Sequence, residues 1–331
     1  MSTIPGLKIG HASDAVAKTG VTAFLPDEPA VAAAHVAGGA PATRETDLLR
    51  AGNLVECVDA VVFTGGSAFG LAAADGVMRW LAERGRGFEV AGLRVPIVPA
   101  AALFDLANGG DKTRISSSDG ASLYSALGIA ACEAAAAEPR VGSVGAGTGA
   151  TTADLKGGFE AATTILEGGG TVAAFVAVNA LGRVTLGSTP HFRAAPFERG
   201  EEFGGHGLPS SIPPDAATIT TKLGIAPQAN TTIALVATDY ALTRAEASRV
   251  AIAAHDGFAL SIFPAHTPLD GDTVFVLSLG KRPLRDGPRG LLTLSATAAS
   301  TLARAVACAV YSATPAAGDR LPTWRERYGG S

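Results

Sequence analysis

Thr231-Thr232-Ile233-Ala234-Leu235-Val236-Ala237-Thr238 is the stretch that most restricts what this chain can become. A run made only of β-branched and apolar residues fits a strand buried on both faces. The chain before it has the opposite character. Residues 200–230 hold four prolines, Pro209, Pro213, Pro214 and Pro227, among glycines and polar residues, and read as a loop region. A loop therefore runs into a rigid strand at Asn230-Thr231.

Other elements can be placed around this junction. Residues 58–63 read as a strand running into Thr64-Gly65-Gly66, after which Ser67 is expected to cap a helix carrying Phe69, Leu71, Ala72, Val77, Met78 and Leu81. Residues 95–103 read as strand or extended chain. Residues 171–178 read as an apolar strand ending near Asn179, with Gly182 as the turn residue after it. Downstream of the central strand come a helix over 243–257, extended chain over 262–266, a turn at Asp270-Gly271 and a strand over 273–279. Two Ala-rich stretches, 130–137 and 295–307, read as helices buried on most sides, the second belonging to a helix that reaches 311.

With 331 residues, 47% hydrophobic and 17% charged, the chain has ample material for a large core. No segment shifts to linker composition, so one domain over 1–331 is expected. The formal net charge of -4, dispersed Lys and Arg, and only 6% aromatic residues argue against a nucleic-acid surface. The first residues lack a basic stretch followed by an apolar one, and no apolar run approaches the roughly 20 residues of a membrane span. The expected setting is cytoplasmic, with no membrane partner. Cys57, Cys132 and Cys308 lie far apart in Ala- and Val-rich surroundings and are expected to be buried free thiols.

Three motifs resemble chemistry without its context. Gly145-Ala146-Gly147-Thr148-Gly149-Ala150 matches a loose dinucleotide-binding turn, but no apolar helix follows it. Gly65-Gly66-Ser67 resembles an esterase nucleophile elbow, but Phe69 stands where that elbow needs glycine. His11, His35, His191, His206, His255 and His266 show no metal-ligand spacing, so neither a metal nor an organic cofactor is expected.

Six short motifs occur in order along almost the whole chain. They are Ile4-Pro5-Gly6-Leu7-Lys8-Ile9-Gly10-His11, Gly38-Gly39-Ala40-Pro41-Ala42-Thr43-Arg44-Glu45, Thr64-Gly65-Gly66-Ser67-Ala68-Phe69-Gly70-Leu71, Val144-Gly145-Ala146-Gly147-Thr148-Gly149, Asn230-Thr231-Thr232-Ile233 and His266-Thr267-Pro268-Leu269-Asp270-Gly271-Asp272-Thr273. Together they make the chain resemble the self-processing L-aminopeptidase/D-amidase-esterases, β-peptidyl aminopeptidases and nylon-oligomer hydrolases. The Asn-Thr cut and the Asp-Gly-Asp pattern are closest to the threonine-nucleophile, nylon-oligomer hydrolase-like branch. The resemblance implies an α/β fold, a single-domain layered αββα-type sandwich like other N-terminal-nucleophile hydrolases but with its own connectivity. It also implies self-cleavage into a large subunit, 1–230, and a small one, 231–331, assembled as a tetramer of processed units.

The chemistry can be stated from the residues. A threonine hydroxyl is a weak nucleophile at neutral pH, and a free α-amine of pKa about 7.7 to 8.0 on the same residue can act as its base. Cutting before Thr231 would create that amine. Asp270 and Asp272, two residues apart on extended chain, send both side chains to one side, where they can hold the hydroxyl and ammonium of Thr231. Lys156 and Asn179 match family positions near the nucleophile: the lysine would tune the amine by charge, and the asparagine amide would donate to an oxyanion. Gly65 and Gly66, near a helix N-terminus, are candidate backbone oxyanion donors. Phe104 stands where some family members have tyrosine and is a candidate pocket residue. His255 and His266 read as structural.

The expected activity is therefore an N-terminal-threonine amide hydrolase or aminopeptidase acting through an acyl-enzyme on small peptides or non-standard amides. An acyltransferase of the ornithine-acetyltransferase kind is an alternative. So is an inactive protein of the same fold that binds small ligands or assembles with partners.

Overall fold

The computed structural model describes residues 4–116, 120–222 and 230–329. Among these, the strands are β1 (Leu7–Asp14), β2 (Thr19–Pro26), β3 (Ala30–Val36), β4 (Thr43–Arg44), β5 (Cys57–Val58), β6 (Val61–Thr64), β7 (Phe88–Val90), β8 (Leu93–Val95), β9 (Ala100–Ala102), β10 (Phe159–Ile165), β11 (Thr171–Asn179), β12 (Thr231–Ala241) and β13 (Thr273–Pro283). The helices are α1 (Ala73–Ala82), α2 (Thr113–Ser116), α3 (Gly120–Glu133), α4 (Arg244–Ala254), α5 (Asp256–Ser261), α6 (Gly287–Tyr311) and α7 (Trp324–Tyr328).

Two sheets lie face to face between two helical layers. One has the order β1-β2-β6-β9-β4, the other β10-β11-β12-β13-β3-β5. Alternation along each strand divides its side chains between two cores. From β12, Ile233, Leu235 and Ala237 point into the inter-sheet core with Phe24, Phe63, Phe175 and Phe275. Ala234 and Val236 point to the opposite core, against α4, α5 and α6. The outer face of the first sheet packs Val21, Ala23 and Val62 on Val77, Leu81 and Tyr124 of α1 and α3. This is the expected αββα sandwich, and β12 is buried on both faces as its composition requires.

Element boundaries differ from those expected where tertiary bonds override local pattern. Ser67 does not cap a helix. Its backbone is left-handed (φ 54°) and its N–H goes to the Leu103 carbonyl, so a 3-10 turn intervenes and α1 begins only at Ala73. The helix expected over 243–257 starts as foreseen, on a reciprocal cap between Thr243 and Glu246, and then divides at His255 into α4 and α5. Residues 223–229 of the expected loop lie outside the described residues. The glycine-rich turn at 145–147 gives its N–H groups to the framework, Gly145 to Ser13 Oγ and Ala146 to Thr22 Oγ1, both at 3.0 Å.

Helix α6 is 25 residues long and apolar enough to cross a membrane by length and composition, which the sequence reading did not foresee. Its C-terminal half is core. Residues 298–310 pack against β10, β11 and the neighbouring helices, apart from partly exposed Ser300. Buried Arg304 makes a two-pronged contact with Glu202 (2.6 and 2.7 Å) and donates to Thr163 O and Thr164 Oγ1, so its charge is paired and four of its five N–H donors are bonded.

Candidate active site

Thr231 is the first residue of β12 and is 3% exposed. On one side it pairs in antiparallel register with Asn179, the last residue of β11. On the other side runs the segment that leads into β13. There Asn230 donates to the Leu269 carbonyl (2.9 Å), and the Asn230 carbonyl accepts the Gly271 N–H at 2.6 Å. The carbonyl preceding Thr231 is thus held by a short backbone bond from the middle of Asp270-Gly271-Asp272.

Glycine is required there. A Cβ at position 271 would lie 2.5 Å from Thr231 Oγ1 and 2.9 Å from the Ala40 carbonyl. The hydroxyl therefore packs directly over Gly271. The Gly38-Gly39-Ala40 motif holds this segment from its other side, with Ala37 N–H bonded to Asp272 O (3.0 Å) and Ala40 N–H to Asp270 O (2.8 Å).

Both aspartates are buried, 1% and 2% exposed. Asp272 is fixed by Thr232 N–H on Oδ1 (2.9 Å), and on Oδ2 by His266 N–H (3.0 Å) and His266 Nδ1 (2.8 Å). Asp270 Oδ2 accepts the Thr267 N–H (2.8 Å). Burial, reinforced by the charge of Asp272, raises the Asp270 carboxyl above the usual range. For His266 burial opposes the charge, but the bond and charge of Asp272 outweigh it and the net shift is upward. Its Nε2 faces the His255 carbonyl at 3.3 Å, so both ring nitrogens meet acceptors and the imidazolium is the form that satisfies both. The reading of His266 as structural missed this direct hold on Asp272. The six-residue spacing from His266 to Asp272 is the signal that was available.

Asn179 is buried, and its amide orientation is set by its neighbours. Oδ1 accepts from Thr151 N–H (3.1 Å) and Lys222 Nζ (3.0 Å), while Nδ2 donates to the Phe104 carbonyl (3.0 Å). Phe104 also lines a narrow cleft of about 20 Å3, room for about one water, with Asp105, Asn108, Thr151, Lys222 and Arg320.

The lysine on Asn179 is therefore Lys222, a residue the sequence gave no reason to single out within its loop. The Lys156 ammonium binds Asp319 Oδ2 (2.5 Å), whose other oxygen takes Lys18 (2.7 Å). Burial alone would raise the Asp319 carboxyl, and the two lysines reverse this to a net lowering. Burial drives the Lys222 ammonium down to about 7 despite the opposing charges of Asp270 and Asp105.

The expectation that Gly65 and Gly66 donate to an oxyanion is not met in this structure. Gly65 N–H goes to the Gly20 carbonyl (2.9 Å) and Gly66 N–H to Asp105 Oδ1 (2.8 Å). Left-handed Gly66 (φ 81°) turns its amide toward buried Asp105, so these donors tie the end of β6 to its neighbours β2 and β9 within one sheet. The backbone donor beside Thr231 is Gly271. Among the described residues no cluster of three or more His, Cys, Asp or Glu has the arrangement of a metal site.

The sequence matches the profile of peptidase family S58 over residues 1–322. It is 41% identical over 350 aligned residues to an uncharacterized aminopeptidase of Mycobacterium tuberculosis, covering 100% of this chain and 98% of the relative. It is 42% identical over 344 residues to one of Mycobacterium leprae, covering 98% and 92%. The fold is similar to a Burkholderia β-aminopeptidase (TM-score 0.69, 20% identity, 97% of this chain and 89% of the other). It is equally similar to the L-aminopeptidase D-Ala-esterase/amidase of Ochrobactrum anthropi, described as a variant of the Ntn hydrolase fold (TM-score 0.69, 22% identity, 98% and 90%).

Proposed function

The chain belongs to peptidase family S58 and is an amide-bond hydrolase, and from that footing we propose that it cuts itself between Asn230 and Thr231 and then works as an N-terminal-threonine aminopeptidase or amidase. The observation that carries this reading is the 2.6 Å bond from Gly271 N–H to the Asn230 carbonyl, with Thr231 Oγ1 packed over the same glycine. Carbonyl, nucleophile and a donor for the developing oxyanion meet at one point.

In the uncut chain Thr231 Oγ1 attacks the Asn230 carbonyl carbon and its proton passes to Asp270, whose carboxyl burial raises above the usual range. The oxyanion forms on the Asn230 oxygen against Gly271 N–H. Collapse breaks the peptide C–N bond, returns the proton to the leaving nitrogen and leaves an ester between Asn230 and the Thr231 side chain. Water cleaves the ester, giving a carboxylate on Asn230 and a free α-amine on Thr231.

In turnover that amine takes the hydroxyl proton as Oγ1 attacks a substrate amide, the substrate's amine leaves, and water releases the acyl group. Departure of Asn230 frees Gly271 N–H to serve the substrate oxyanion, with Asn179 as a second donor. Asp270 and Asp272 hold the new ammonium and hydroxyl, Lys156 contributes positive charge from its place beside Asp319, and Phe104 forms one wall for the substrate. Small peptides or non-standard amides are the proposed substrates.

We expect processed units to form tetramers, which light scattering after size-exclusion chromatography would read directly. The free thiols Cys57, Cys132 and Cys308 suit a cytoplasmic setting. The maturation step is tested on a denaturing gel: wild type gives two bands and Thr231→Ala one, and normal cutting by the variant would move the nucleophile elsewhere.

A further inference from the structure

Lys222 ends its side chain in a cage of oxygens. Its Nζ donates to Thr151 O (2.6 Å), Thr151 Oγ1 (3.0 Å) and Asn179 Oδ1 (3.0 Å), with Asn179 O at 3.4 Å. Four acceptors face the three hydrogens of one ammonium, and the charges of Asp270 and Asp105 act on the same point. The acceptors belong to the framework rather than to the lysine's own loop. Thr151 is fixed by its bridge to Lys156 and by its N–H on Asn179, and Asn179 closes β11. Lys222 comes from the Pro- and Gly-rich region, eight residues before Asn230.

Position gives the cage its meaning. Asn179 is the register partner of Thr231, and facing residues of an antiparallel pair have Cα atoms about 4.5 to 5.5 Å apart. The cage also opens on the cleft lined by Phe104, Asn108, Thr151 and Arg320. A primary ammonium held there lies one strand away from the nucleophile, within the reach of the free amino group of a short aminoacyl amide whose carbonyl meets Thr231.

We propose that the oxygens of Thr151 and Asn179 form the binding site for the substrate's free amino group, and that Lys222 fills this site in the uncut chain. The selected ligand is a primary ammonium on a short chain. Cutting after Asn230 leaves Lys222 on the C-terminal tail of the large fragment, no longer tied to β12, so an incoming amine can take its place. The assignment of this ligand as substrate rests on the aminopeptidase reading above, while the site itself does not.

The test is run first in the Thr231→Ala background, where neither cutting nor turnover intervenes, with n-propylammonium as the probe in isothermal titration calorimetry. Thr231→Ala alone is expected to bind it at least about 10-fold more weakly than Thr231→Ala/Lys222→Met, and adding Thr151→Val is expected to weaken the latter by about 10-fold or more, the loss of one charge-assisted bond. Lys222→Gln replaces Lys222→Met if the methionine variant does not fold. Equal binding with and without Lys222, or binding indifferent to Thr151→Val, overturns the proposal. In processed enzyme, Lys222→Met should lower KM for alanine p-nitroanilide, and n-propylammonium should compete with that substrate but not with its N-acetyl analogue. Probe binding without any turnover of free-amine substrates would keep the cage and defeat the aminopeptidase reading; turnover without probe binding would do the reverse.

Discussion

Two glycine corners, each beside a strand end, have opposite roles in this molecule. At Gly65-Gly66, after β6, the backbone N–H groups are taken by the Gly20 carbonyl and the Asp105 carboxylate, and the corner holds the fold together. At Gly271, before β13, the N–H is given to the Asn230 carbonyl directly ahead of Thr231, and the missing Cβ makes room for the hydroxyl. In the proposed self-cleavage the Gly271 donor faces the bond to be broken, whereas the Gly65-Gly66 donors complete the framework.

The strongest way to sharpen this comparison is to remove the nucleophile. Thr231→Ala should remain a single chain of 33.1 kDa and lose at least about 10^3-fold in amide hydrolysis, as removal of a nucleophile does elsewhere. Intact mass and a chromogenic anilide assay check both. Next come the two glycines themselves. Gly271→Ala places a Cβ 2.5 Å from Thr231 Oγ1 and 2.9 Å from the Ala40 carbonyl, and should slow self-cleavage by about 10^2-fold or more. Gly66→Ala, at φ 81° and with its Cβ 2.0 Å from Tyr124 Oη, should instead lower stability by about 1–3 kcal/mol in urea unfolding. If Gly66→Ala slows cutting at unchanged stability, the comparison fails.

A smaller effect is expected from Asp272→Asn. It leaves Thr232 N–H an acceptor and weakens the hold on His266, so cutting and turnover should fall about 10-fold or more without unfolding. The smallest effect concerns pH. Lys222 is lowered to about 7 in the folded chain, so between that value and the ordinary lysine range the unfolded chain binds more protons than the folded one. Stability of uncut Thr231→Ala should therefore rise with pH above about 7 relative to Thr231→Ala/Lys222→Met. Parallel melting temperatures for the two proteins across pH 7 to 10 would contradict this.

How far the sequence could be read follows from the same contrast. The β-branched run at 231–238 announced a doubly buried strand because burial is what such composition reports, and Asp270-Gly271-Asp272 carried its carboxylates in its spacing. Partners across the fold are not encoded locally. Nothing around Gly271 says that its amide will meet Asn230, since that depends on β12 and β13 lying parallel. The cap expected of Ser67 gave way to a bond from its N–H to Leu103, and the lysine on Asn179 proved to be Lys222, which has no local pattern at all.

The central claim is tested most directly by N-terminal sequencing and intact mass of purified protein, followed alongside activity during maturation. The account predicts fragments 1–230 and 231–331, a new N-terminus beginning Thr-Thr-Ile-Ala, and hydrolysis that appears in step with them. An intact chain hydrolysing amides at full rate, or a cut at any other bond that produces full activity, would contradict it.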